Sequence, residues 1–336
     1  MAFSEGNPKT MLAIYAASGN DENPLNGLKV GQVPLPTPPE GWVRVKLLAS
    51  SVNYHDIFTL KGFGAHPIKF PRIIGCEGVG MLEDGSRVVV YPFMTAPTYI
   101  GDETLDPGRH ALSELTEGTL AEYFIVPEKN VLPLPDTIDV VSGAVLGISW
   151  LTAYRMLFTK SGLRAGQTML VQGSSGGVST ALIQLGAAAG MRVWATGRTA
   201  EKRQLAQSLG AEKTFEPGEP LATQVDAVFD TSGAATWKHS MASVKAGGTI
   251  VSCGAHSGFE LPTDSFRLFV DSLSIHGVYA GSFHEFKDLI SFVAVKGIKP
   301  CIGKVLPLSQ GEEAVKLVFE GKILGKMVLT AGSEVA

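Results

Sequence analysis

Five tiny residues, Gly173-Ser174-Ser175-Gly176-Gly177, separate the apolar run Thr168-Met169-Leu170-Val171-Gln172 from a segment with apolar residues at helical spacing, Val178-Ser179-Thr180-Ala181-Leu182-Ile183-Gln184-Leu185. A second apolar run, residues 191–196, closes the unit. Small residues at a strand-to-helix turn let the backbone approach a pyrophosphate. The anion then rests on free N–H groups at the helix start, favoured by the helix dipole. The fit to G-x-G-x-x-G fails at one place: Ser179 stands where a third glycine allows close helix–strand packing. An ordinary strand–helix turn can also carry such a loop. The strand, turn, helix, strand order is what reads as half of a dinucleotide-binding fold, with Gly173, Ser174, Ser175, Gly176, Gly177 and Val178 on the cofactor.

The tip of the second strand selects the cofactor. An NAD site places an acid about 20 residues after the glycine loop, on the ribose 2′-hydroxyl. Here the strand ends Ala195-Thr196-Gly197-Arg198-Thr199 with no acid, and Lys202 follows one turn into the next helix. Arg198 and Lys202 suit a 2′-phosphate, so NADPH is the expected cofactor. The alternative is that both are solvated surface charges.

These residues need an α/β frame, and the chain can supply one. Its 336 residues, 45% hydrophobic and 18% charged, suffice for two domains with sizeable cores. A net charge of −4 gives no electrostatic reason to expect nucleic acid or an anionic membrane. Cys76, Cys253 and Cys301 lie far apart without a CxxC pair, which argues against a disulfide scaffold and for a reducing cytoplasm. Residues 1–10 lack the order of a signal peptide. The long uncharged stretch 165–191 contains the glycine loop and is not read as a membrane span.

Up to about residue 139 the chain reads as β-rich. Strands are expected at 11–15, 42–49, 87–91 and 121–126, a helical stretch at 50–62, a proline-rich connector at 33–41 and a long loop at 96–119. From 140 the period becomes helical. After the glycine unit, helices near 201–209 and 237–244 alternate with strands at 225–230, 248–252 and 274–279, which implies a doubly wound parallel sheet. The tail reads helix 286–295, strand 305–308, helix 312–320, strand 326–330.

Motifs spread nearly end to end resemble the medium-chain dehydrogenase/reductase superfamily. They are Ala49-Ser50-Ser51-Val52-Asn53-Tyr54-His55-Asp56, Pro71-Arg72-Ile73-Ile74-Gly75-Cys76-Glu77-Gly78-Val79-Gly80, Gly118-Thr119-Leu120-Ala121-Glu122-Tyr123, Leu151-Thr152-Ala153-Tyr154, residues 172–184, and Gly325-Lys326-Met327-Val328-Leu329. The resemblance implies a GroES-like catalytic domain from residues 1–139 and 283–336. A Rossmann NADPH-binding domain, 140–282, is inserted in it, with the active site in the cleft. Where zinc-dependent members carry zinc ligands, this sequence has Asn53, Cys76 and a residue near Gly147. The stretch 96–118, where the structural zinc loop would fall, has no cysteine. One possible ligand of three does not hold zinc, so no metal site is expected. Cys76 reads best as a small buried thiol.

The chain then resembles the zinc-independent quinone oxidoreductase and enoyl reductase branch. That implies hydride transfer from NADPH to an activated C=C bond or a quinone in a small or medium apolar substrate. Hydrogen-bond donors must stabilise the developing negative charge. By resemblance Asn53 lies beside the nicotinamide and substrate. Tyr54 is the leading proton donor, with packing as its other role. Asp56 matches a family acid near the cleft, or else caps a helix or joins a structural salt bridge. Cofactor contacts carried over are Thr152, Thr231 and Gly254, with Lys326 equally a surface lysine at a strand start. Alternatives are an alcohol/aldehyde dehydrogenase of the same superfamily and a non-catalytic NADPH-binding protein. A homodimer is expected by analogy, through the strand at 274–279. The substrate-setting loops are 96–118 and 254–264.

Overall fold

The strand Trp42–Val52 is the axis of the first unit. Val45, Leu47 and Ala49 are buried in the alternation expected of a strand with one face on the core, and Ser50, Ser51 and Val52 at its end are buried as well. It pairs with Gly78–Met81, with Tyr123–Pro127 and, antiparallel, with the C-terminal strand Lys326–Thr330. The whole sheet has seven strands and ends with Ile302–Pro307 beside Lys326–Thr330. A separate three-stranded sheet joins Leu28–Pro34, Thr10–Ala16 and Arg72–Ile73. The residues read as a proline-rich connector therefore begin inside a strand, Leu28–Pro34, that ends at its proline.

We used a computed structural model, which describes residues 9–64, 66–96 and 98–332. Residues 1–8, most of the stretch read for a signal peptide, lie outside the described residues. The chain forms two compact units, one of residues 1–148 with 282–336 and one of Ser149–Gly281. Residues 140–148 group with the first unit, where the Ile148 N–H donates to Glu77 Oε2 at 2.8 Å. The helical stretch expected from 140 is broken into a turn Val140–Gly143, π-turns Leu146–Trp150 and Arg155–Lys160, and an α-turn Leu151–Tyr154 between them that carries Thr152.

The second unit is a six-stranded parallel sheet. Its order is Lys213–Phe215, Arg192–Thr196, Thr168–Gln172, Val225–Asp230, Val244–Ser252, Ser274–Gly277. This is the Rossmann order, and the fold is α/β. The order reverses at Thr168–Gln172, so the loops leaving it and Val225–Asp230 diverge and open a crevice at their carboxyl ends. The helix Gly177–Ala188 buries Ala181, Leu182, Ile183 and Leu185, as its helical spacing requires. Within this unit the edge strand Lys213–Phe215 and the helix Ser265–Val270 escaped the sequence reading. That helix buries none of its residues, so it presents no apolar-in pattern to read. Among the described residues no helix is long and apolar enough to cross a membrane.

Candidate active site

In the second unit the glycine loop leaves Gln172 and enters the helix Gly177–Ala188 at Gly176, with no side chain capping its first N–H groups. A helix start without a cap is an anion site. Gly176 has no atom within 4 Å of the place a Cβ would take, so a ligand can approach its backbone. Gly173 is glycine for another reason. Its φ is +112°, and a Cβ there would lie 2.9 Å from Ser179 Oγ. The serine at the third-glycine position thus fills the space above Gly173. Its hydroxyl also meets Thr231 Oγ1 at 3.2 Å, and Thr231 Oγ1 donates to the Gln172 carbonyl at 2.9 Å. Gly254 comes so close to Thr231 that a Cβ would sit 2.2 Å from its carbonyl oxygen. Loop, Thr231 and Gly254 are therefore brought together at the carboxyl edge of three neighbouring strands. This cradle fits a nicotinamide dinucleotide.

At the tip of Arg192–Thr196, Thr199 caps the helix Ala200–Ser208 by accepting the Lys202 N–H at 3.3 Å. The cap sets Arg198 just before the helix and Lys202 in its first turn. Burial pushes the Lys202 ammonium below its ordinary range, and the Arg198 charge pushes the same way. The Glu201 charge pulls the other way without reversing the shift, so the two cations repel one another, and a phosphate at the pair would relieve that repulsion. Arg203 is spent on structure, donating to the Gly197 carbonyl at 2.7 Å and pairing with Glu216.

The first unit holds a second cluster. Antiparallel pairing of Met327 with Val52 puts Lys326 beside Asn53. Lys326 is 3% exposed and so is no surface lysine. Its ammonium donates to Asn53 Oδ1 at 2.6 Å, Glu77 Oε1 at 3.1 Å and the Val52 carbonyl at 3.3 Å. All three of its protons are used inside the unit. Asn53 Nδ2 donates to Glu77 Oε1 at 2.7 Å and has only long contacts, 3.3 and 3.4 Å, to Ser51. Ser51 Oγ also donates to Glu77 Oε1. Glu77 was passed over in the sequence as a site residue. The available signal was a lone acid in the apolar run Ile73-Ile74-Gly75-Cys76-Glu77-Gly78-Val79.

Asp56, third in the helix Tyr54–Lys61, has no exposure. Its two oxygens accept the Asn53 N–H and the Gly75 N–H, each at 2.7 Å. Burial raises its pKa, against the pull of those N–H groups, His55 and Lys326. Tyr54, on the first turn, is 41% exposed, its ring edge-on to Phe58 at 5.3 Å. His55 points Nε2 toward the buried Glu114 at 3.7 Å. Cys76 is fully buried. Burial first, then the charges of Asp56 and Glu77, push its thiol well above the usual range. Among the described residues no group of three or more His, Cys, Asp or Glu side chains is placed to hold a metal ion. Of the sequence-picked groups, the structure gathers Asn53, Asp56 and Lys326 in one unit. It gathers the loop, Thr231, Gly254, Arg198 and Lys202 in the other, where Thr152 lies buried on its α-turn.

Comparison with known proteins agrees with this geometry. The sequence model of the alcohol dehydrogenase GroES-like domain matches residues 39–136, and that of the zinc-binding dehydrogenase family matches residues 177–295. A zinc-type alcohol dehydrogenase-like protein of Schizosaccharomyces pombe is 30% identical over 316 residues, covering 86% of this chain and 90% of its own. A quinone oxidoreductase of Rattus norvegicus is 26% identical over 88% of this chain and 91% of its own. The crystal structure of an NAD-dependent alcohol dehydrogenase superposes with a TM-score of 0.88 at 30% identity, over 96% of this chain and all of the other. A GroES-like unit, a parallel six-stranded unit with an open glycine loop, and relatives of this length and identity make the chain an oxidoreductase that binds a nicotinamide cofactor, a member of the medium-chain dehydrogenase/reductase superfamily.

Proposed function

We propose that this oxidoreductase is a cytosolic, zinc-independent NADPH-dependent reductase of an activated carbon–carbon double bond or a quinone in a small apolar substrate. The observation that carries the reading is the Lys326 ammonium lodged between Asn53 Oδ1 and Glu77 Oε1. Asn53 and Cys76 stand where zinc-dependent members of the superfamily carry ligands. An amide oxygen already bound to an ammonium and a thiol held protonated are poor zinc donors, and a fixed positive charge beside them repels a dication. The donor set does not fit zinc.

The loop from Gly173 to Val178, with Thr231, Gly254 and Thr152, holds the cofactor, which supplies a hydride when bound. Arg198 and Lys202 take its 2′-phosphate. Tyr54, open to solvent on the first helical turn, donates a hydrogen bond to the substrate oxygen that gains charge and then gives up its proton. The loosely engaged second amide proton of Asn53 is the other donor. Asp56 touches neither substrate nor cofactor: it ties Asn53 to Gly75 and is a positioning residue. Lys326 acts likewise, fixing the amide by its oxygen rather than reaching the cofactor.

Copies pair through the edge strand Ser274–Gly277, whose outer side has no strand partner among the described residues. Ile275, Tyr279, Phe266 and Phe269 are exposed in and near it, an apolar surface that a second copy would cover. Sedimentation at rising concentration tests this, and a monomer throughout would remove the homodimer.

The test of function is NADPH oxidation with a metal chelator present, against an enone, an enoyl thioester, a quinone and an aldehyde. Turnover of one of the first three, indifferent to chelator, is the expected result. The second reading, an alcohol/aldehyde dehydrogenase, is favoured by the names of two of the similar proteins. Aldehyde turnover abolished by chelator would establish it and overturn the first.

A further inference from the structure

Beneath the glycine loop runs a chain of hydrogen bonds that the proposed reaction does not use. His239 Nε2 lies 2.8 Å from the Glu219 carbonyl, and its Nδ1 lies 2.9 Å from Gln172 Nε2. Gln172 Oε1 is 3.2 Å from Thr196 Oγ1, which is 3.0 Å from the Gly173 nitrogen. Gly173 opens the loop.

Chemistry fixes the direction of every proton in this chain. Ser240 Oγ donates to the Asp230 carboxylate at 2.6 Å, so the Gln172 atom facing Ser240 at 3.1 Å must be the donor nitrogen. That nitrogen also faces His239 Nδ1, which must therefore accept. A carbonyl only accepts, so His239 Nε2 carries the proton toward Glu219. Both ends of the ring demand one form, the neutral imidazole protonated at Nε2. At the other end the Gly173 N–H donates to Thr196 Oγ1, whose own proton goes to Gln172 Oε1.

We infer that Gln172, Thr196 and His239 are positioning residues for the cofactor phosphates, holding the Gly173 end of the loop only while His239 is neutral. The inference rests on the reading that the loop binds the cofactor. A protonated ring would set N–H against N–H at the Gln172 contact. Turning the amide over relieves that clash. It then aims an N–H at Thr196, which already accepts from Gly173, and leaves the Thr196 proton without its acceptor. The ring's hydrogen-bond partners are neutral: Gln172, the Glu219 carbonyl and the Ser243 hydroxyl at 3.3 Å. Charged groups carried by these same elements are the Glu219 carboxylate, which accepts the Glu216 N–H on its own loop, Asp230 behind Ser240 on the sheet, and Lys238, next in sequence on the helix.

The test compares NADPH dissociation constants of the wild type and His239→Asn from about pH 8 to about pH 5, the span over which an ordinary imidazole gains its charge. The side-chain amide oxygen of that variant can accept where Nδ1 does, and the amide has no proton to gain. The 2′-phosphate itself gains a proton in this span, so the readout is the ratio between the two proteins at each pH. On acidification the wild type should weaken about tenfold more than His239→Asn, the worth of one disrupted hydrogen bond. Gln172→Leu should bind about tenfold more weakly than wild type at the alkaline end, with an unliganded melting temperature measured alongside. Parallel weakening of wild type and His239→Asn would overturn the relay even if Gln172→Leu does not fold. Gly176→Ala separates the two readings. Weaker NADPH binding by that variant, with a failed relay, leaves the loop as the cofactor site. Unchanged binding removes the loop assignment and the relay with it.

Discussion

Around Lys326 each ammonium proton and both Glu77 oxygens have partners within the first unit, and the side chains are almost wholly buried. At the glycine loop of the second unit the helix N–H groups have no capping side chain, Gly176 faces open space, and two cations sit side by side. Both regions are polar, and both carry motifs of the same superfamily. The closed network leaves a ligand little beyond the loosely held second amide proton of Asn53. Its value lies in orientation, because a buried charge that loses its partner is costly. An open one is incomplete until an anion arrives. The count of unspent donors, rather than the presence of a motif, separates the closed cluster from the open one.

Removing the cation from the closed cluster should have the largest effect. Lys326→Met leaves Glu77 charged and buried, and should cost about 3–5 kcal/mol in urea unfolding. A loss under about 1 kcal/mol would mean that the cluster is not closed as described. Next comes a contrast inside the loop. Gly173→Ala forces an L residue to a φ of +112° against Ser179 Oγ, and should cost about 2–3 kcal/mol of stability. Gly176→Ala should unfold within about 0.5 kcal/mol of wild type, its defect confined to cofactor binding. Equal stability of the two variants would erase the distinction between a packed and an open glycine.

The basic tip is tested by the double variant Arg198→Ala, Lys202→Ala. Its affinity for NADPH should fall about thirtyfold while that for NADH holds. A parallel fall for both cofactors would take the 2′-phosphate away from this pair. The smallest effect is expected where the parallel strands begin. Asp226 accepts the Thr168 N–H at 2.8 Å and Gln167 Nε2 at 3.0 Å, and pairs with Lys245. Burial raises its pKa, but the Lys245 hydrogen bond and the Thr168 N–H outweigh it, and the result lies below the ordinary 3.8. A depressed carboxylate contributes stability that is present above 3.8 and fades as pH falls through the folded value. Asp226→Asn should thus be about 1 kcal/mol less stable than wild type near neutrality, and should converge on it in strong acid. A gap that persisted in acid would place the effect elsewhere.

The strand–loop–helix unit was legible because its parts are contiguous. Thr168–Gln172 and Gly177–Ala188 bound the loop as the apolar spacing implies. The expected strands at 225–230 and 326–330 also match. Reading failed where burial does not follow local pattern. Leu28–Pro34 hides in a proline-rich stretch, Ser265–Val270 exposes its aromatic residues, and the helical run from 140 is interrupted by π-turns. Ser179 looked like a mild fault in the fingerprint; in the fold it explains why Gly173 has no side chain.

By itself the sequence determined the parallel sheet, because apolar periodicity acts over a few residues; the glycine loop and the Arg198–Lys202 pair are local in sequence and so were visible, and the superfamily was read from motifs that resemble it. Only the tertiary structure decided what Lys326, Glu77 and Asp56 touch. Lys326 meets Asn53 across 273 residues and Glu77 across 249. A buried charge takes its meaning from its neighbours, and strand register, which no local pattern encodes, chooses those neighbours.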